Sequence, residues 1–189
     1  MIEYPTPHVR LSFACPPGVG ARWVVRACQL AGLGWQTPAK AYMPFTERNG
    51  TRRFRFTLVR HPCDWLWNCY CLLKMADTPK EFMGEITSVP CFSALEQGCF
   101  EGFVRCYLHT APGGLTEVHR RYEADTVCRY EDMPWALLEL LLSLGVPRDL
   151  SRGCTRQKLH VEAVRRLDVK ARAAVMRAEC ELSERYDYW

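Results

Sequence analysis

Glycine, arginine and asparagine carry the chemistry this sequence offers. In CPPGVGARW, residues 15–23, Gly18 and Gly20 bracket Val19 and follow Pro16 and Pro17. Such glycines let the backbone bend and approach a ligand closely, and the free N–H groups of a following helix start, aided by its dipole, favour an anion. The same residues also suffice for a plain tight turn between a strand and a helix, so a second anion-binding element has to decide between the two. TLVRHPCDWLWNCY supplies one. Arg60 ends an apolar run, where its planar fork suits a phosphate, and Asn68 follows eight residues later inside the next helix, so both can face one ligand. The loop is not a Walker A loop: G-x-x-x-x-G-K-[ST] is missing and no lysine lies within it, which disfavours ordinary ATP or GTP hydrolysis.

Other chemistry-bearing residues read as structure. Trp65, Trp67 and Tyr70 sit in a helix whose aromatic side chains belong to the core. Cys63, Cys69 and Cys71 are spaced C-x5-C-x-C without a second cysteine or histidine knuckle, so no metal site is expected. Glu131 and Asp132 suit a turn and a cap, since adjacent acids on a strand point to opposite faces. The basic and aromatic run RRFRF describes a strand with one solvated face, although Arg52, Arg53 and Arg55 widen the positive field around an anion. His61 is expected to shape the turn after Arg60, and His109, His119 and His160, in contexts without a partner, to lie on the surface.

These residues need elements to position them. HVRLSFA, residues 8–14, reads as a strand, and residues 21–33 as a helix stopped by Gly32 and Gly34. KAYMPF suggests a second strand, TERNG a polar turn, and RRFRFTLV a strand entering a buried sheet. A buried helix is expected from Asp64, as N-cap, to Lys74. Residues 75–99, with Pro79 and Pro90, read as a lid or loop. Phe100, Phe103, Val104 and Tyr107 have helical spacing, with TEVHRRY continuing them, and ADTVCRYED gives another short strand. MPWALLELLLSLGV predicts a helix with Pro134 in its first turn and Gly145 as its C-cap, and a last helix is expected over Val161 to Arg185. Strands alternating with helices imply an α/β fold with a mostly parallel sheet covered on both faces, with ligands at the C-terminal ends of strands.

Composition bounds the reading. At 189 residues the chain suits one domain, 1–189, and 48% apolar with 24% charged residues is ordinary for a soluble globular protein. The net charge of +4 is mild for a nucleic-acid binder and suits a small anionic ligand better. MIEYPTPHVR is no signal peptide and no window resembles a membrane span, which predicts a cytoplasmic chain. The eleven cysteines are scattered from Cys15 to Cys180, and an odd number cannot all pair, so most are expected as reduced core residues.

Together, PGVGARW and VRHP, with Asn68 eight residues after the arginine, resemble the PAPS-dependent sulfotransferase family. Its 5′-phosphosulfate loop reads P-K-S-G-T-T-W, and its 3′-phosphate motif reads V-R-x-P with a serine at the position of Asn68. CRYEDMPWALLELLLSLGV is similar to the family's R-Y-E-D-L segment and the helix after it. FEGFVRCYLHTAPGGLTEVHRRY and the closing ERYDYW follow the layout of short members, so the likeness touches most of the chain in order. It implies a three-layer P-loop-like fold and sulfuryl transfer from PAPS (3′-phosphoadenylyl sulfate) to a hydroxyl or amine of a small-molecule or glycan acceptor, releasing 3′,5′-ADP without a metal.

Carried over by residue, the resemblance implies that the backbone of Gly18, Val19, Gly20 and Ala21 and the side chain of Arg22 hold the 5′-phosphosulfate. Trp23 would stack near the adenine, Arg60 and Asn68 would bind the 3′-phosphate, and Tyr130 would lie against the nucleotide. The family's loop lysine is replaced by Gly18 and its two threonines by Ala21 and Arg22. Arg22 is the candidate cation for the leaving group, and Glu47, the one acid between the two nucleotide motifs, is the candidate general base. A non-catalytic nucleotide-binding or interaction module of the same fold, prompted by Gly18, is the main alternative, and a nucleotide or small-molecule kinase a second. Residues 36–50 and 75–99 are where an acceptor pocket is expected.

Overall fold

A computed structural model describes residues 10–33, 53–74, 99–156 and 167–189. KAYMPF, TERNG with Glu47, residues 75–98 of the lid expected over 75–99, His160 and residues 161–166 of the expected closing helix lie outside the described residues. The chain forms two compact units, each assembled from separate segments. The first comprises residues 1–16, 20–59 and 121–160, and the second residues 17–19, 60–120 and 161–189.

The first unit is α/β. Its strands β1 (Arg10–Phe13), β2 (Arg53–Val59) and β3 (Thr126–Arg129) form a parallel three-stranded sheet in the order β1-β2-β3. Phe13 pairs with Phe56, and Val59 with Arg129. Parallel strands bury both faces and so read as near-continuous apolar runs; Leu11, Phe13, Phe56, Leu58 and Val59 are all buried. The Phe13 and Phe56 rings meet with centroids 4.7 Å apart. Helix α1 (Ala21–Leu30) turns Trp23, Val24, Ala27 and Cys28 inward and Arg22, Arg26 and Gln29 outward, the stripe of an amphipathic helix. Gly32, at φ +70°, ends it.

The rest of this unit follows β3: a 3-10 turn at Tyr130–Asp132, then three helical pieces defined below. The acids Glu131 and Asp132 lie in that turn, where Asp132 pairs with Arg129 at 3.6 Å.

The second unit is helical among the described residues. It holds α2 (Pro62–Lys74), α3 (Phe100–Thr110), α4 (Gly114–Arg120), α7 (Val169–Ala178) and α8 (Cys180–Arg185), while α5 (Trp135–Ser143), α6 (Arg148–Gly153) and a 3-10 turn at Cys154–Arg156 complete the first. After α5, Gly145 at φ +79° lets its own N–H and that of Val146 reach the carbonyls of Leu142 and Leu141.

Three boundaries differ from expectation in the second unit. Helix α2 starts at Pro62 rather than at an Asp64 cap, because proline, lacking an N–H, suits a first helical position; Asp64 is buried within the first turn. TEVHRRY does not continue α3 but forms α4, after the break at Ala111-Pro112-Gly113. Among the described residues, the single closing helix expected over Val161 to Arg185 is two helices, interrupted at Glu179. That fully buried residue accepts hydrogen bonds at both carboxylate oxygens, from the Tyr107 hydroxyl, from the Thr116 hydroxyl at 2.7 Å and from the Thr116 N–H at 2.9 Å. No helix among the described residues is long and apolar enough to cross a membrane.

Candidate functional site

The loop between β1 and α1 is shaped by its glycines. Gly18 and Gly20 hold φ values of +82° and +135°, which side chains with a Cβ rarely adopt. Residues 17–19 belong to the second unit, where α2 grips them by their carbonyls. Trp65 Nε1 donates to the Pro17 oxygen at 2.7 Å, and Asn68 Nδ2 donates to the Gly18 oxygen at 2.6 Å. A Cβ at Gly18 would stand 2.9 Å from Cys69 Sγ and 3.1 Å from Trp65 Cδ1, so this position has no room for the lysine of the resembling loop. Val19 is fully buried.

Asn68, expected on a phosphate, thus holds the loop. Trp65 does the same, a role the sequence reading gave to core packing alone. Residues three apart share a helix face, and that spacing was the available signal that Trp65 and Asn68 address one neighbour.

In the first unit, Gly20 begins α1. Its carbonyl accepts from the N–H groups of Trp23 and Val24 at 2.9 and 3.2 Å, no side chain caps the helix, and its first turn carries no acid. The positive end of the helix dipole is therefore not neutralised by the helix's own residues. The Ala21 N–H points to the Cys15 sulfur, which it favours as thiolate, but burial outweighs this and pushes the Cys15 thiol up. Arg22, the second residue of α1, is exposed.

Trp23 and Tyr130 are instead buried, edge to face, with ring centroids 6.5 Å apart. Tyr130 explains Gly20 a second time: a Cβ there would lie 2.5 Å from two atoms of its ring. Trp23, expected as an adenine platform, and Tyr130, expected along the nucleotide, together form a wall of the first unit's interior.

Arg60 follows β2 directly and is buried, only 5% of it accessible. Next to it, His61 Nδ1 accepts from the Cys63 N–H at 3.2 Å and its ring meets Tyr188 at 5.4 Å. That bond closes the turn into α2, as the sequence suggested for His61. Glu47 lies outside the described residues. His109 is exposed, but His119, expected at the surface, is buried beside Tyr186. Among the described residues, no three His, Cys, Asp or Glu side chains are grouped to hold a metal ion.

Chemically, the first unit offers an uncapped helix start with an exposed arginine in its first turn, and the second offers a buried arginine and a loop tied by two side chains. No family model, curated protein or solved structure matches the chain.

Proposed function

We propose that this chain binds a nucleotide bearing a 3′-phosphate and transfers a sulfuryl group from PAPS to a hydroxyl or amine of a small-molecule or glycan acceptor. The observation that carries the reading is the start of α1: a loop with two left-handed glycines runs from a parallel strand into a helix without side-chain cap or first-turn acid. Backbone N–H groups and a positive dipole end suit a 5′-phosphosulfate there. The reading assigns Gly18, Val19, Gly20 and Ala21 backbone and Arg22 to that group, and Arg60 to the 3′-phosphate together with Asn68, whose amide also holds the Gly18 carbonyl. A three-layer P-loop-like arrangement belongs to the same proposal. So does a cytoplasmic location, which the free thiols of all described cysteines support.

In-line sulfuryl transfer breaks the bond between sulfur and the bridging oxygen, and negative charge grows on the departing 3′,5′-ADP. A cation aimed at that oxygen lowers the barrier. With Gly18 enclosed by Trp65 and Cys69, the cation cannot come from position 18, and Arg22 takes the role. Glu47 is assigned the acceptor proton.

The enclosure of Gly18 also favours a second reading, a module that binds the nucleotide without chemistry. Turnover separates them. Purified protein is given PAPS with a panel of phenols, amines and sugars, and release of 3′,5′-ADP is followed by chromatography. The enzyme reading predicts acceptor-dependent release that falls about 100-fold or more in Arg22→Ala. Binding of 3′,5′-ADP without release from PAPS would leave the module.

A further inference from the structure

In the first unit, two buried thiols face each other. Cys28 lies in the last turns of α1, and Cys154 opens the 3-10 turn after α6; both are shielded from solvent. The backbone brings them together independently of the sulfur atoms. Gly153, immediately before Cys154, lies directly on the end of α1: a Cβ there would come within 2.4 Å of the Ala31 Cα and 2.8 Å of the Leu30 carbonyl oxygen. Cys28 is one turn before Ala31 on the same helix. Only a glycine permits this approach, and it sets the next residue's thiol against that of Cys28, with which it hydrogen-bonds.

We propose that Cys28 and Cys154 are a redox pair that hydrogen peroxide converts to a disulfide, locking α1 to the turn after α6. The balance is complete with that oxidant. The Cys154 sulfur attacks one peroxide oxygen, the O–O bond breaks, and water leaves behind a sulfenic acid. The Cys28 sulfur then attacks the Cys154 sulfur, the S–O bond breaks, the Cys28 proton joins the departing hydroxide, and a second water leaves. Two thiols are oxidised and one peroxide is reduced to two waters.

The order of the two sulfurs follows from their hydrogen bond. Cys28 donates, which raises its own pKa, with burial and the charge of a Cys154 thiolate adding to the rise; the same bond lowers that of Cys154. A thiolate is the nucleophile toward peroxide, so Cys154 reacts first. The other buried thiols differ: burial pushes Cys63 up to about 12 and Cys128 up to about 11, which leaves both inert.

The test uses the whole, folded protein. Treated with a small excess of hydrogen peroxide, quenched, alkylated and digested, the wild type should yield one linked species joining the Cys28 and Cys154 peptides, two hydrogen atoms lighter than the pair and separated by dithiothreitol. Cys28→Ser should leave a sulfenic acid on Cys154 that dimedone captures, and Cys154→Ser should give no capture at Cys28. A peroxide-treated native protein in which both thiols remain alkylatable, or in which either pairs with another cysteine, overturns the proposal. So does a Cys28 to Cys154 link that forms only after denaturation. The wild-type digest decides even where a serine variant folds poorly.

Discussion

Gly20 answers to two constraints at once, its φ of +135° and the Tyr130 ring on which a Cβ would land at 2.5 Å. Gly20→Ala should therefore cost about 3 kcal/mol of stability, the sum of backbone strain and a clash with a buried ring, read as a lower denaturation midpoint. Thr57 illustrates the opposite sign. Its hydroxyl and that of Ser12 are buried in the sheet without a hydrogen-bond partner among the described residues. Thr57→Val keeps the shape and removes the orphan, so it should gain about 1 kcal/mol in urea unfolding, and a loss would show that the hydroxyl is satisfied. At this scale the sequence was informative about backbone and silent about which neighbours the side chains meet. Gly18 and Gly20 announced a special loop because only glycine tolerates such angles. The partners that Asn68, Trp23 and Tyr130 meet within the protein are distant in sequence, Gly18 for Asn68 and each other for the two rings, and local spacing does not record them.

Among the elements, the junction of α7 and α8 depends on one carboxylate. Glu179→Ala would strand the buried donors of Tyr107 and Thr116, for an expected loss of about 3 kcal/mol, with Glu179→Gln losing less because its amide oxygen still accepts. Helix α4 adds a pH dependence. Burial, with help from the charge of Arg185, lowers His119 from 6.5 to about 4. The unfolded chain then binds the proton more readily than the folded one. The stability of the neutral histidine is fully present above pH 6.5, declines as pH falls, and is lost below about 4. The total is about 3 kcal/mol, and His119→Phe should flatten stability between those limits. Strand and helix identities were legible from periodicity: RRFRFTLV gave β2 and MPWALLELLLSLGV gave α5. The break at Glu179 was not, since glutamate is a good helix former and only its buried partners, far along the chain, interrupt the helix.

For the whole molecule, the division into two interleaved units was not legible. Local patterning reports which face of an element is buried, and it carries no record of which distant segment does the burying. Of the residues assigned to the nucleotide, Gly18, Val19, Arg60 and Asn68 belong to the second unit and Gly20, Ala21 and Arg22 to the first. The central claim, that those residues serve a nucleotide with a 3′-phosphate, is tested by ligand-dependent thermal stability. A ligand that binds the native state alone raises the melting temperature, with about 2.7 kcal/mol of stabilisation at a hundredfold excess over Kd. The measurement is a titration with 3′,5′-ADP beside 5′-AMP and ATP, on the wild type and on Arg60→Lys, which keeps the charge and loses the planar fork. The account predicts a rise with 3′,5′-ADP that 5′-AMP and ATP do not produce and that Arg60→Lys diminishes. A melting temperature indifferent to all three, or raised equally by 5′-AMP, would contradict it.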